Sequence, residues 1–66
     1  MVFLHNNICK ISNFKLIKLI SNSKIEIIIN KRLLIINGVN LAMSFYSKEE
    51  ITIKGKVDKI EFYDNI

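Results

Sequence analysis

The chain has 66 residues, a net charge of +4 and 50% hydrophobic residues. A chain of this length forms at most one small domain, because it buries only about 60% of the surface that its unfolded form exposes. Fourteen isoleucines and six aromatic residues provide most of the bulk, with a single alanine and no proline. Since β-branched and aromatic side chains fit a pleated sheet, this composition predicts an all-β domain.

Cysteine count and hydropathy exclude several classes of protein. Cys9 is the sole cysteine, which rules out an intramolecular disulfide and a cysteine-rich metal site. The N-terminal stretch MVFLHNNICK lacks the basic, apolar and small-residue regions of a signal peptide. No run approaches the roughly 18 apolar residues of a transmembrane helix. We therefore expect a cytoplasmic protein without a transmembrane segment.

Period-two alternation predicts short strands along the whole chain. The stretch KIEIIIN, for example, places Ile25, Ile27 and Ile29 on one face of a strand and Glu26 and Ile28 on the other. The third predicted strand also matches a short helical stripe, but its length and the Ser-Asn-Ser cluster after it favour a strand. Strands are predicted at Val2–His5, Ile8–Ile11, Phe14–Ile20, Lys24–Asn30, Leu33–Asn37, Leu41–Tyr46, Glu50–Lys54 and Lys59–Tyr63.

Turn signals in the second half of the chain indicate how these strands connect. Asn37-Gly38 is a dipeptide that accepts positive φ, and it predicts a tight turn. Val57 and Ile60 have opposite parity, so the register must shift between them. One explanation is a bulge or a turn at the intervening Asp58-Lys59 pair. The other is a turn in the stretch KGK, with its glycine at the corner.

An internal repeat relates two parts of the chain. The segments Ile11–Ile27 and Ile36–Ile53 share an isoleucine, a turn pair, an apolar run, a serine and a closing Ile-x-Ile. Two copies are too few for a long solenoid. The repeat predicts two hairpin-like units packed in pseudo-symmetry, either as a compact sheet or sandwich or as a short coil of strands.

No residue pattern in the sequence is typical of a catalytic or metal site. A catalytic pair of His5 and Cys9 would need thiolate activation and a geometry that spacing cannot supply. Glu49 and Glu50 are adjacent, so in a strand they point to opposite faces and cannot share one site. The two glycines lack the sequence context that holds phosphate. We therefore predict a protein that is not an enzyme and uses no cofactor or metal.

Charge and aromatic residues leave nucleic-acid binding open as a less favoured alternative. Two Phe-Tyr pairs, at 45–46 and 62–63, are each expected to place Phe in the core and Tyr at its rim. Exposed aromatics among lysines can stack bases, although such lysines more often belong to solvated outer faces. The candidate basic residues are Lys10, Lys15, Lys18, Lys24, Lys31 and Arg32.

The stretch LLIINGVNLAMSFYSKEEITIKGKVDKIEF resembles the YabP/YqfC family of sporulation proteins. Members carry a Gly-x-x-Leu turn, then a Ser/Glu-Glu-Ile/Ile-x-Gly-x-Ile block, and an Ile-Glu-Phe ending. The block corresponds here to Ser47 to Gly55 with Val57. The upstream stretch ICKISNFKLIKLISNSKIEI is similar to the first half of the family. The resemblance implies one YabP/YqfC-like domain over residues 1–66, without the additional N-terminal segment of other members. The matching positions form a structural signature without catalytic residues: Gly38, Leu41, Ile51, Ile53, Gly55, Ile60 and Phe62.

The resemblance implies a function in endospore formation. Members of the family support assembly of the spore envelope from the mother cell, without known enzymatic activity. We therefore expect a non-enzymatic protein of the mother-cell cytoplasm that contacts other sporulation proteins. Because a chain this short draws only about 3 to 5 kcal/mol from its core, we also expect it to form a homo-oligomer through unpaired strand edges.

Overall fold

The structure, a computed structural model, describes residues 2–64. These residues form six strands and contain no helix, which confirms the all-β prediction. The strands are β1 Val2–His5, β2 Ile8–Ser12, β3 Leu16–Ile20, β4 Lys24–Ile29, β5 Arg32–Tyr46 and β6 Glu50–Asp64. Their order across one antiparallel sheet is β1-β2-β6-β5-β4-β3.

The shorter strands follow their predicted positions closely. β2 extends one residue further than predicted, to Ser12. The ambiguous stretch Phe14–Ile20 is a strand from Leu16 onward rather than a helix. β4 ends at Ile29, because Asn30 has a positive φ of 54° and begins the turn to β5.

β5 and β6 are each one long strand where two shorter strands were predicted. The predicted turn at Asn37-Gly38 is wrong, since Gly38 continues within β5. Its N–H donates to the carbonyl oxygen of Ser23 at 3.1 Å, and positive φ (54°) occurs instead at Asn40. The glycine is explained by close packing, because a Cβ at this position would collide with the carbonyl oxygen of Lys56 in β6.

Register shifts bend the β5–β6 hairpin at several places. Asp58 is skipped in the pairing, so the predicted bulge near this residue is confirmed. Ser44 is skipped in the same way, and Asn40 and Leu41 together lie opposite Gly55. The chain does not reverse at Gly55, so the alternative of a turn at this glycine is wrong. Its φ of 133° instead belongs to the bend within β6.

Because both long strands bend, the sheet is divided into two half-sheets. The first half-sheet consists of β1, β2, residues 50–54 of β6 and residues 42–46 of β5, in that order. The second consists of β3, β4, residues 32–37 of β5 and residues 59–64 of β6. β5 and β6 thus join the two half-sheets covalently.

The core is one cluster of buried side chains that come from both half-sheets. The first half-sheet provides Cys9, Ile11, Ile51 and Ile53, and the second provides Ile25, Ile27, Leu34 and Ile36. These side chains are fully buried, and Leu41 from the bend joins them at 4% exposure. The half-sheets therefore pack their inward faces against each other.

The two half-sheets share the same internal arrangement. The buried neighbours Cys9 and Ile53 of the first half-sheet are equivalent to Leu34 and Ile27 of the second. In the same way, Ile11 and Ile51 are equivalent to Ile36 and Ile25. An outer strand of each half-sheet also contains a skipped residue, Lys18 in β3 and Ser44 in β5. By this correspondence, β1 is equivalent to residues 59–64 and β2 is equivalent to residues 32–37.

Two serine turns repeat the same hydrogen bonds. Ser21 Oγ accepts from the N–H of Lys24 at 3.0 Å and donates to the carbonyl oxygen of Lys24 at 2.9 Å. Ser47 Oγ makes the same two contacts with Glu50, at 3.1 and 3.3 Å. Because these turns lie in the two repeated segments, the predicted hairpin-like units are confirmed. The strands of residues 2–64 pair antiparallel, which excludes a coil of stacked parallel strands.

Candidate functional site

His5 and Cys9 lie on opposite faces of the first half-sheet and form no catalytic pair. The His5 ring is exposed and contacts the side-chain amide of Asn6 at 3.0 Å. Cys9 is fully buried, and burial raises the pKa of its thiol. Within residues 2–64, no group of three or more His, Cys, Asp or Glu side chains could hold a metal ion, and no pocket is found.

Most of the signature residues lie in the core or at the bend. Leu41, Ile51 and Ile53 belong to the core cluster. Gly38 and Gly55 lie where the backbones of β5 and β6 leave no room for a Cβ. A Cβ built at Gly55 would lie 2.5 Å from a backbone oxygen of β5. Three of these five positions therefore fill the core between the two half-sheets, and the two glycines allow the strands that join the half-sheets to pack closely.

The other two signature residues lie on β6 in the second half-sheet. Ile60 is half-buried and packs against the core. Phe62 is 45% exposed, and the Arg32 guanidinium carbon lies 4.6 Å from the centre of its ring. Arg32 Nε also donates to Asp64 Oδ1 at 2.8 Å. A cation–π contact and an ion pair thus hold Arg32 over one side of the Phe62 ring.

The expectation that each Phe-Tyr pair buries its phenylalanine is wrong. The exposed fractions are 52% for Phe45, 58% for Tyr46, 45% for Phe62 and 47% for Tyr63. Both pairs lie on the outermost strand segments of the half-sheets, where a neighbouring strand covers one side. Since Ser44 is skipped in the register, Tyr46 rather than Phe45 lies opposite the buried Ile51.

The predicted basic residues do not gather on one surface. Lys24 Nζ lies 3.2 Å from Glu26, and Arg32 pairs with Asp64. Lys10 lies on the outward face of the first half-sheet. The others are exposed near β3 and at the β4–β5 turn: Lys15, Lys18 and Lys31. The structure therefore divides this set among several surfaces.

A row of apolar side chains crosses the outward face of the second half-sheet. The register aligns Leu16 with Ile28, Ile28 with Leu33, and Leu33 with Tyr63. Residues directly opposite each other in neighbouring strands share a face, and the core residues occupy the alternate positions. Leu16 and Tyr63 are 49% and 47% exposed, while Ile28 and Leu33 are half-buried. We call these four residues the apolar row.

An ionic cluster adjoins the apolar row on the same face. Lys24 Nζ lies 3.2 Å from Glu26, and Lys59 Nζ lies 3.3 Å from Glu61. The Tyr63 hydroxyl donates to Glu61 at 3.0 Å. This hydrogen bond, followed by the charges of Lys59 and Lys24, lowers the pKa of Glu61, and the Glu61 carboxylate raises the pKa of Tyr63. The ionic cluster, defined as these two lysines and two glutamates, has no net charge.

The first half-sheet carries different residues at the equivalent outward positions. Ala42 and Lys54 are equivalent to Leu16 and Ile28. Ile8 and His5 are equivalent to Leu33 and Tyr63. The next row of this face consists of Phe3, Lys10, Thr52 and Phe45. Both half-sheets nevertheless bury equivalent cores. The apolar row is therefore not needed to build a half-sheet of this kind.

Reasoning from the sequence places Ile28 on the same strand face as Glu26, as observed, but does not identify the apolar row. The row combines strands that are distant in the chain, so it requires the register. A signal is nevertheless present in the sequence. Ile28 is apolar at a position whose parity is opposite to that of the buried Ile25 and Ile27 in β4. Leu33 and Ile35 have the parity opposite to that of the buried Leu34 and Ile36 in β5.

Comparison of the chain with protein-family models, with curated proteins and with solved structures finds no match. The resemblance to the YabP/YqfC family therefore remains a prediction from the residues quoted above. Among residues 2–64, no helix is long and apolar enough to cross a membrane.

Proposed function

We propose that this chain is a non-enzymatic, YabP/YqfC-like protein that acts through protein–protein contacts in spore envelope assembly, in the mother-cell cytoplasm. The signature residues support the assignment to sporulation. The observation that carries the protein-contact function is the exposed apolar row, whose equivalent in the same chain contains Lys54 and His5. Exposed apolar patches rimmed by polar groups are typical of interaction sites.

Exposed leucines on this face can contribute to a contact with a partner. Leu16 belongs to the apolar row, and Leu19 lies opposite Glu26 on the same outward face. They are 49% and 42% exposed, and fully burying such a side chain contributes about 1.5 to 3 kcal/mol. Covering the remaining exposed part of each would therefore stabilise a complex by about 1 kcal/mol. The neighbouring ionic cluster adds charges of both signs, which select among partners more than they raise affinity.

The test is genetic complementation in the sporulating host. Deletion of the gene should reduce spore counts or alter envelope morphology, and the wild-type gene should restore both. A gene carrying Leu33→Lys should fail to restore them, because a charge would lie in the middle of the apolar row. Ile8→Lys is the matched control, since Ile8 is half-buried at the equivalent position of the first half-sheet.

Two results would contradict the proposal. Normal spores in the deletion strain would show that the protein is not needed for sporulation. Full complementation by Leu33→Lys, with the protein present at wild-type levels, would show that the function does not depend on the apolar row. Immunoblotting of sporulating cells provides the protein levels.

A second candidate function is nucleic-acid binding, favoured by the outward face of the first half-sheet. Phe3 and Phe45 are 56% and 52% exposed, and Lys10 lies in the same row between them. Exposed rings and lysines on one sheet face suit stacked bases and phosphates. Fluorescence anisotropy with a single-stranded oligonucleotide should then show binding that weakens with salt. Nonspecific dissociation constants are about 1 to 100 µM at physiological salt and fall further in low salt, so absence of binding at about 50 µM protein in low salt would eliminate this candidate.

A further inference from the structure

The dipeptide Asn37-Gly38 lies within β5 and forms no turn. In an unfolded chain an Asn-Gly dipeptide is chemically labile, because glycine has no side chain to hinder its own backbone nitrogen. That nitrogen can lose its proton, attack the side-chain carbonyl carbon of the asparagine and displace ammonia, which closes a cyclic succinimide. Water then opens the ring to aspartate or to isoaspartate. The asparagine is lost in either case.

In the folded chain both reacting groups are engaged in hydrogen bonds. The Gly38 N–H donates to the carbonyl oxygen of Ser23 at 3.1 Å, so the nitrogen that would attack is held toward another strand turn. The Asn37 side-chain amide donates to Glu61 Oε1 at 3.4 Å. Asn37 and Gly38 are both half-buried. Succinimide formation therefore requires both hydrogen bonds to break.

Strand pairing also keeps the backbone at this dipeptide extended. Asn37 lies between Lys24 of β4 and Lys59 of β6. Gly38 has no space on the side of β6, because even a Cβ there would collide with the carbonyl oxygen of Lys56. Ring closure needs the peptide unit between the two residues to rotate out of the extended conformation of a strand. It therefore cannot occur while β5 stays paired.

The two products differ in what they do to the sheet. Aspartate keeps the length of the main chain, and its carboxylate would lie between Lys24 and Lys59. Isoaspartate routes the main chain through the former side chain and so adds one backbone carbon within β5. An insertion of this kind disturbs the register of the residues that follow, and Gly38 has no room to move against β6. The isoaspartyl chain thus cannot rebuild the pairing of β5 with β6.

We propose that Asn37-Gly38 is a deamidation site that the fold protects and that global unfolding exposes, with an isoaspartyl product that does not refold. A domain of this size is only marginally stable, so unfolding recurs during the life of the protein. Each unfolding then carries a chance of permanent loss of the native state. The inference is independent of the proposed protein contacts, because it concerns the backbone of β5 alone.

Peptide mapping by mass spectrometry tests the protection, with the chain kept in mildly alkaline buffer or in the same buffer with unfolding urea. Asn37 should be lost at least about 100-fold more slowly in buffer than in urea, as expected when only the unfolded fraction reacts. A synthetic peptide of residues 34–41, unfolded in both solvents, corrects for the effect of urea on the chemistry. Ile53→Val, in the first half-sheet, should accelerate the loss in buffer about 2- to 10-fold by raising the unfolded fraction.

Two chemically synthesised versions of the full chain test the product. The chain with Asn37→Asp should show the far-UV circular dichroism of the wild type, whereas the chain with isoaspartate at position 37 should lack the strand signal. The proposal would be overturned by a corrected slowing in buffer of less than about 100-fold. An unchanged rate in Ile53→Val would overturn it too, as would synthetic Asn37→Asp and isoaspartyl chains that behave alike.

Discussion

Replacement of Gly55 by alanine should remove most of the stability of this fold. Gly55 has φ of 133°, and holding a residue with a side chain in such a region costs about 1 to 3 kcal/mol. The added Cβ would lie 2.5 Å from the Asn40 carbonyl oxygen and 2.9 Å from Leu41 Cα. Both atoms belong to the backbone, so the bend must open, and overpacking of this kind costs about another 1 to 3 kcal/mol.

The expected loss of about 3 to 4 kcal/mol is comparable to the 3 to 5 kcal/mol that the core of a domain this small provides. Urea denaturation followed by circular dichroism measures it. With a slope of about 1 kcal/mol per molar urea, the midpoint should fall by about 3 M, or the variant should be unfolded without urea. Lys56→Ala, at the exposed neighbouring position, should change the stability by no more than about 0.5 kcal/mol. A Gly55→Ala midpoint within about 0.5 M of wild type would refute the close approach of β5 and β6.

Further predictions follow from the equivalence of the half-sheets and from the buried thiol. Ile27→Val and Ile53→Val should each lower the free energy of unfolding by about 0.5 to 1.5 kcal/mol, and unequal losses in urea titrations would contradict their equivalence. Ser21→Ala and Ser47→Ala should each lower the free energy of unfolding by about 1 kcal/mol. Thermal melts should show similar decreases in melting temperature, and clearly different decreases would contradict the equivalence of the two turns. Cys9 should react with a thiol reagent only on unfolding; rapid labelling of the native protein would contradict its burial. Because the folded thiol has a raised pKa, stability should fall as the pH rises above about 8.5, where the unfolded chain loses this proton first. Cys9→Ala should lack that pH dependence.

The parts of the fold that could be predicted from the sequence depend on local chemistry. The alternation in KIEIIIN assigns Ile25 and Ile27 to one face, and both are fully buried. The serines at 21 and 47 close their own turns by bonding to backbone groups three residues ahead, as serine does in turns generally. Such signals lie within a few residues, so one sequence contains them.

The parts that could not be predicted depend on contacts between distant segments. Asn37-Gly38 has the same local sequence whether it forms a hairpin turn or lies in a bent strand. The decision comes from β6, which brings Lys56 against Gly38, and from the turn residue Ser23, which accepts its N–H. The apolar row likewise needs the register of four strand segments at once, and a one-residue slip would move each side chain to the other face.

The position of β6 has a consequence for how the protein is made. This strand is synthesised after the other five, yet residues 50–54 lie between β2 and β5, and residues 59–64 complete the second half-sheet. A chain still held on the ribosome before β6 emerges thus lacks Ile51 and Ile53 of the core and one of the two neighbours of β2. Pairing of such distant segments is slow, and the apolar strands already made stay open to aggregation until it occurs. Emergence of β6 from the ribosome is therefore the step that allows the core to be completed, and nascent-chain binding factors have their main opportunity to act before it.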